Sequence, residues 1–170
     1  MSAGQSTFRL VVLASGGGTN LQAILDQLHG KEGIEVAGVA SDKPDAFALE
    51  RAAAAKVPTG VFARDDWPDR KARDLAMAGW IDSVEADLVV LAGYMQLVSP
   101  EFVARFRGRI VNVHPALLPS FPGLDAIGQA IEHGVRVTGV TVHFVDEGTD
   151  TGPVIRQQAV EIPANWDRDE

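Results

Sequence analysis

The sequence contains no cysteine, and this absence removes several kinds of chemistry. Disulfides, catalysis by a thiolate and zinc sites built on cysteine are all excluded. No apolar run approaches the roughly 18 residues that indicate a membrane-spanning helix, so we expect no membrane partner. The polar start of the chain also lacks the basic and apolar blocks of a signal peptide. These features favour a cytoplasmic protein.

Basic residues are also scarce. The 15 Lys and Arg residues are outnumbered by 23 Asp and Glu residues, which gives a formal net charge of −8. A protein that binds the phosphates of a nucleic acid needs a basic face, so this balance argues against a nucleic-acid partner. An anionic small molecule would have to be held by local donors such as backbone amides, because the field of the whole protein repels it.

Apolar β-type runs alternate with helix-like segments along the 170 residues. Continuously apolar runs are typical of strands buried on both faces of a parallel sheet. The alternation predicts an α/β fold, with a doubly wound, mostly parallel open sheet, a Rossmann-like N-terminal half and an antiparallel C-terminal strand pair. We expect residues 1–170 to form a single domain whose C-terminal helix is missing. The predicted strands are Leu10–Ala14, Val36–Ala40, Thr59–Phe62, Leu88–Ala92, Ile110–His114, Val137–Val145 and Val154–Ile162. The predicted helices are Leu21–Leu28, Ala46–Ala55, Pro68–Val84, one that starts at Ser99-Pro100, and Asp125–His133.

A glycine loop, Ser15-Gly-Gly-Gly-Thr-Asn20, lies between the first predicted strand and the first predicted helix. Its three glycines allow positive φ and a close approach of ligand to backbone. The helix that follows directs free N–H groups and the positive end of its dipole at the same point. The loop has neither the third glycine of a dinucleotide fingerprint nor the Gly-Lys-Ser/Thr of a P-loop. We interpret it as a phosphate site, and the alternative is a tight turn capped by Thr19 or Asn20.

Asn112 and His114 occupy alternate positions of a predicted strand, so their side chains project to the same side. Pro115 ends that strand, at the edge where open α/β sheets bind ligands. An amide and an imidazole can both donate hydrogen bonds to one oxygen. Such an arrangement suits the oxyanion of acyl transfer, where one donor contributes about 3–4 kcal/mol. The alternative is a capping asparagine and a structural histidine.

The loop Asp146–Pro153 carries three carboxylates and two glycines, which is first of all the composition of a solvated turn. It lacks the ligand spacing of an EF-hand. A carboxylate of this loop beside His114 would favour the charged, donating form of the imidazole. The residues alone do not show that Asp150 is that carboxylate. His143 lies within a predicted strand, where a structural core histidine is the ordinary interpretation.

Four stretches carry a resemblance to a known family: Leu91–Met95, Asn112–Pro119 with Phe121–Gly123, His143–Pro153 and Leu13–Gln22. Together they resemble the folate-dependent formyltransferases, and among these the glycinamide ribonucleotide formyltransferases of purine biosynthesis. The resemblance covers nearly the whole chain, from Arg9 to Ile162.

The resemblance implies an enzyme that transfers the formyl group of its co-substrate, 10-formyltetrahydrofolate, to the glycyl amine of glycinamide ribonucleotide, without a metal. Asn112 and protonated His114 would stabilise the tetrahedral oxyanion, Asp150 would hold the charge of the imidazole, and His143 would support them. The residues implied for the substrate phosphate are Gly16, Gly17, Gly18, Thr19 and Asn20. The residues implied for the folate are Arg70, Met95, Gln96, Leu97, Val98, Asn112, Asp146, Glu147, Gly148, Thr149 and Asp150.

Three positions depart from the usual pattern of that family. Gln96 and Ser120 stand where many members carry a basic residue, and Asp125 stands where many have histidine. Two other functions stay open: a formyltetrahydrofolate deformylase, which is a hydrolase with the same three residues, and a non-catalytic nucleotide- or phosphate-binding module. The sequence does not determine the oligomeric state, and a homodimer is left open.

Overall fold

Strands and helices alternate along residues 6–166, the part of the chain that the computed structural model describes. The strands are β1 (Phe8–Leu13), β2 (Ile34–Ser41), β3 (Thr59–Val61), β4 (Leu88–Leu91), β5 (Ile110–His114), β6 (Val137–Phe144) and β7 (Val154–Glu161). The helices are α1 (Thr19–Gln27), α2 (Phe47–Ala54), α3 (Arg70–Ser83), α4 (Pro100–Arg105) and α5 (Ala126–Glu132), with a short 3₁₀ turn at Arg64–Asp66. None of these helices is long and apolar enough to cross a membrane.

The strands follow the order β3-β2-β1-β4-β5-β6-β7 in one mixed sheet. β1 pairs in parallel with β2 and β4, and β2 pairs in parallel with β3. β6 pairs in antiparallel fashion with β5 and β7. The predicted fold class, a mostly parallel sheet that ends in an antiparallel pair, is confirmed. The chain divides into two compact units, up to Ile110 and from Val111. The expectation of a single domain over residues 1–170 stays a prediction.

The first unit has its core on the parallel strands. Residues Leu10 to Leu13 of β1 are at most 5% exposed, as expected for an apolar strand covered on both faces. Leu21 and Leu25 of α1 are buried, and α2 packs against both α1 and β2. α1 begins after Gly18, whose φ is 69° and which has no side-chain cap. The cap that the alternative interpretation gives to Thr19 or Asn20 does not form, and the phosphate site itself stays a prediction.

The second unit places polar side chains on one face of β6. Gly139, Thr141 and His143 are the buried positions of this strand, because alternate residues face the same side. The antiparallel register sets Asn112 of β5 opposite His143, and His114 opposite Thr141. The pairing of β5 with β6 thus positions the predicted site residues Asn112, His114 and His143.

The sequence-based bounds agree closely with the elements that form. β5 has the predicted bounds, and α4 begins at Pro100 with the Ser99 side chain accepting from the N–H of Phe102. α3 begins two residues later than predicted, because Asp69 caps it by accepting from the N–H of Ala72 at 2.7 Å.

Candidate active site

The second unit brings Asn112, His114 and Asp150 together around His143. Asp150 Oδ2 lies 3.5 Å from Nδ1 of His114, and Asp150 Oδ1 lies 3.6 Å from Nε2 of His143. The His114 side chain is 5% exposed and that of Asp150 is 10% exposed. Charges interact more strongly where little water is present. The convergence that the motifs implied is therefore present.

His114 is oriented by a backbone carbonyl. Its Nε2 lies 2.8 Å from the carbonyl oxygen of Phe121. A carbonyl oxygen can only accept, so Nε2 carries a hydrogen and donates it. In neutral His114 the other nitrogen, Nδ1, then has no hydrogen, whereas in the charged ring Nδ1 also carries one. Asp150 Oδ2, 3.5 Å from Nδ1, is too far away for an ordinary hydrogen bond and does not take up this donor. The Phe121 carbonyl thus makes donation from Nδ1 depend on the charged form.

Asp150 is held in place by the same short segment. The N–H of Gly123 donates to Asp150 Oδ2 at 2.7 Å. Gly123 has a φ of 80°, a left-handed conformation that glycine adopts without strain. Asp150 itself has a φ of 55°, a region in which aspartate is enriched among non-glycine residues. Residues 121–123 therefore fix the positions of both His114 and Asp150.

His143 is buried, as its place in a strand suggested, yet its contacts tie it to the site. Its Nδ1 lies 2.9 Å from the carbonyl oxygen of Phe144 and must donate to it. Its Nε2 is then free to accept from the amide nitrogen of Asn112, 3.2 Å away. His143 thus orients the Asn112 amide, with its nitrogen toward the site, and leaves the second N–H of that nitrogen available.

The loop that carries Asp150 is fastened by Asp146. Oδ1 of Asp146 accepts from the N–H of Gly148 at 2.9 Å and from the hydroxyl of Thr151 at 2.7 Å. The Thr151 hydroxyl is the main cause that holds the pKa of Asp146 below its ordinary value. The side chains of residues 146–149 are exposed. The loop is therefore more than a solvated turn, because its own hydrogen bonds fix the stretch that delivers Asp150.

In the first unit, the glycine loop is hydrogen-bonded to helix α2. The N–H of Ala48 donates to the carbonyl of Gly16 at 3.0 Å, and Nε of Arg51 donates to the carbonyl of Gly17 at 2.7 Å. A Cβ at Gly18 would lie 2.8 Å from Ala48, closer than side chains pack. Glycine is therefore required at position 18 by the approach of α2 as well as by the positive φ.

A buried carboxylate links the glycine loop to residues 95–98, the segment that is predicted to bind folate. Asp42, directly after β2, accepts from the hydroxyl of Ser15 at 2.5 Å and from the amide of Gln96 at 2.9 Å. The N–H of Met95 donates to the same Ser15 oxygen at 2.8 Å. Gln96, one of the three departures from the family pattern, is therefore a partner of Asp42. Sequence reasoning missed Asp42, although an acid at the carboxyl end of a buried parallel strand is a usable signal.

The helix α3 carries a buried ion pair that sequence reasoning also missed. Nη2 of Arg73 lies 2.7 Å from Oδ1 of Asp74, and the two side chains are 2% and 0% exposed. The other oxygen of Asp74 accepts from the N–H of Ser99 at 2.5 Å. Arg70, by contrast, is exposed at the start of α3.

The remaining predicted folate residues in the first unit present apolar surface. Met95 is 57% exposed and Leu97 is 62% exposed, while Val98 is half-buried. Within residues 6–166, no cluster of three His, Cys, Asp or Glu side chains is arranged to hold a metal ion.

Comparison with known proteins agrees with the motifs. The sequence profile of a family described as "Formyl transferase" matches residues 8–170. The phosphoribosylglycinamide formyltransferase of Bacillus subtilis is 43% identical over 155 residues, which cover 91% of this chain and 80% of that protein. The protein of the same name from Mycobacterium tuberculosis is 47% identical over 154 residues, which cover 91% of this chain and 71% of that protein. The crystal structure of glycinamide ribonucleotide transformylase 1 from Geobacillus kaustophilus has a TM-score of 0.90 and 48% identity, covering 95% of this chain and 86% of that chain.

Proposed function

Because the chain belongs to the formyl transferase family, we propose that it transfers the formyl group of 10-formyltetrahydrofolate to the glycyl amine of glycinamide ribonucleotide, in purine biosynthesis. The observation that carries this proposal is the convergence of Asn112, His114 and Asp150 in the second unit. We expect the reaction to take place in the cytoplasm and to need no metal.

In the proposed reaction the amine attacks the formyl carbon, and negative charge develops on the formyl oxygen. The second N–H of Asn112 and the Nδ1–H of charged His114 stabilise that oxyanion. Because 3.5 Å is longer than an ordinary N–H···O bond, Asp150 balances the charge of the ring without taking up this donor. Collapse of the intermediate breaks the bond from the formyl carbon to N10 of the folate. The amine loses one proton and N10 gains one.

The two substrates bind through different groups in this proposal. The glycine loop holds the phosphate of the ribonucleotide through the amides of Gly16 to Asn20. In the first unit the folate binds through residues 95–98, whose exposed Met95 and Leu97 suit a flat apolar ring. Arg70, which is exposed, meets the glutamate tail of the folate.

One assay tests the function against its two alternatives. Purified protein is supplied with 10-formyltetrahydrofolate, with and without glycinamide ribonucleotide, and the loss of the formyl group is followed. Turnover only when the amine is present is the expected result, and EDTA should leave it unchanged. Equal turnover without the amine would identify a deformylase, and no turnover in either case would identify a binding module.

A further inference from the structure

Arg51 is a basic side chain that touches the glycine loop, although it lies more than thirty residues further along the sequence. Its Nε donates to the carbonyl of Gly17 at 2.7 Å, and its Nη1 donates to the side-chain oxygen of Gln22 in α1 at 3.0 Å. Its guanidinium stacks on the ring of Phe47, with the central carbon 4.8 Å from the ring centroid. Three contacts therefore hold this side chain in one place.

The two bonds from α2 determine which way the peptides of the glycine loop face. In a trans peptide the carbonyl and the following N–H point in opposite directions. The carbonyl of Gly16 is turned to Ala48, so the N–H of Gly17 points away from α2. The carbonyl of Gly17 is turned to Arg51, so the N–H of Gly18 points the same way. Within residues 6–166 neither of these N–H groups donates to a protein acceptor.

We propose that Arg51 is a positioning residue for phosphate binding, which fixes the glycine loop with its amides turned outward. The inference rests on the proposed function, since it names what sets the geometry of the phosphate site. Consecutive amides that point to one side form the concave donor group that anions occupy in proteins. Without the Arg51 bond, the peptide between Gly17 and Gly18 can rotate, because glycine allows both orientations.

The test compares Arg51 with a matched arginine. Arg109 also stacks on an aromatic ring, that of Phe106 at 5.3 Å, and its Nη1 donates to the backbone carbonyl of Ala86 at 3.3 Å, but it has no contact with the glycine loop. The variants Arg51→Lys, Arg51→Gln and Arg109→Lys are measured with glycinamide ribonucleotide and with its dephosphorylated ribonucleoside. The readout is kcat/KM for the ribonucleotide divided by kcat/KM for the dephosphorylated ribonucleoside.

Both Arg51 variants should lower this ratio by about tenfold, which corresponds to about 1.4 kcal/mol, mainly through a higher KM for the ribonucleotide. Arg109→Lys should leave the ratio unchanged. The inference is overturned if Arg51→Lys keeps the wild-type ratio, because a positive charge without the guanidinium contacts would then be enough for phosphate binding. It is also overturned if both substrates lose efficiency equally, because Arg51 then acts only on the fold.

A binding measurement separates this inference from the proposed reaction. Inorganic phosphate is titrated into the wild-type protein and the three variants, and its dissociation constant is measured by calorimetry. We expect weaker phosphate binding in both Arg51 variants and wild-type binding in Arg109→Lys. An unchanged dissociation constant in Arg51→Lys overturns the inference even if the enzyme is active. Weaker binding in an inactive protein supports it while the reaction assignment fails.

Discussion

At the scale of single residues, the site depends on which ring nitrogens carry hydrogen. The Phe121 carbonyl accepts a hydrogen bond from Nε2–H of His114, so only the charged ring offers a second donor. The Phe144 carbonyl accepts a hydrogen bond from Nδ1–H of His143, so Nε2 of that ring accepts from Asn112. Two backbone carbonyls thereby determine which nitrogen carries the hydrogen in each of two neighbouring imidazoles, and the two rings differ in function for that reason. One ring acts as a donor when charged, and the other orients an amide.

Removing either oxyanion donor should slow the reaction strongly. We predict that Asn112→Ala and His114→Ala each lower kcat by at least about a hundredfold, as loss of one such donor does in acyl transfer. The kinetics are measured beside urea unfolding, which should change little. Gln158→Ala removes an exposed amide of β7 and should keep wild-type kcat. Near-normal turnover in Asn112→Ala or His114→Ala would remove that residue from the chemistry.

Replacing Asp150 should slow the reaction. Asp150→Asn removes a negative charge 3.5 Å from Nδ1 of His114 but can still accept from the N–H of Gly123. The charged, donating ring then lacks a nearby opposite charge in a site with little water, so the oxyanion is less well stabilised. We predict a kcat that is lower by about tenfold or more, measured by steady-state kinetics. Glu161→Gln, an exposed change in β7, serves as the control, and wild-type kcat in Asp150→Asn would count against the pairing.

The sequence predicted the residues of the candidate site, but it did not predict the hydrogen bonds that hold the loops and side chains around them. Asn112 and His114 follow from strand alternation and a closing proline, and Asp150 followed from the resemblance. The Phe121 carbonyl and the Gln96 amide could not be predicted in the same way. Backbone groups have no side-chain signature, and the partner of Gln96 lies in a strand end more than fifty residues away.

At the scale of elements, the packing of helix α3 is stabilised by a buried ion pair as well as by apolar residues. Asp74 compensates the buried charge of Arg73 and also accepts from the N–H of Ser99, the residue that caps α4. The helix itself could be predicted from its periodicity. Its buried pair could not, because charged side chains in a helix usually face water.

Breaking this pair should destabilise the protein. Asp74→Ala leaves the Arg73 guanidinium buried without its counter-charge, which costs about 3–5 kcal/mol in comparable cases. Urea unfolding should show a lower free energy of unfolding by that amount. Lys71→Ala, also in α3, breaks an exposed pair with Glu101 of α4 and should leave the unfolding midpoint close to wild type. If the variant does not fold, Asp74→Asn keeps the acceptor for Ser99 and should show a smaller loss in the same direction. Equal stability of Asp74→Ala and Lys71→Ala would contradict this account.

At the scale of the whole molecule, the order of apolar runs was sufficient to predict the fold. The parallel strands and the antiparallel end of the sheet both follow from where buried runs and helix-like segments alternate. Net charge is the other property of the whole chain that bears on function. A net charge of −8 opposes the approach of an anionic substrate, while backbone donors and Arg51 act only at short range.

Salt should therefore assist the encounter with the ribonucleotide. The screening length falls from about 30 Å at 0.01 M to about 8 Å at 0.15 M ionic strength, so long-range repulsion weakens first. We predict that the KM for glycinamide ribonucleotide falls as sodium chloride is raised over this range. The dephosphorylated ribonucleoside, which has no anionic group, should show no such fall. A KM for the ribonucleotide that rises with salt throughout would contradict the prediction.

The fastening of the glycine loop to α2 has a consequence for how binding proceeds. The carbonyls of Gly16 and Gly17 already accept hydrogen bonds from α2 in the free protein. An arriving anion therefore meets backbone N–H donors whose orientation is set in advance. Less conformational freedom is then lost at the moment of association, and more of the interaction energy appears as affinity. In the proposed phosphate site, whose loop contains no lysine, this preset geometry would take the place of a charged side chain in the loop.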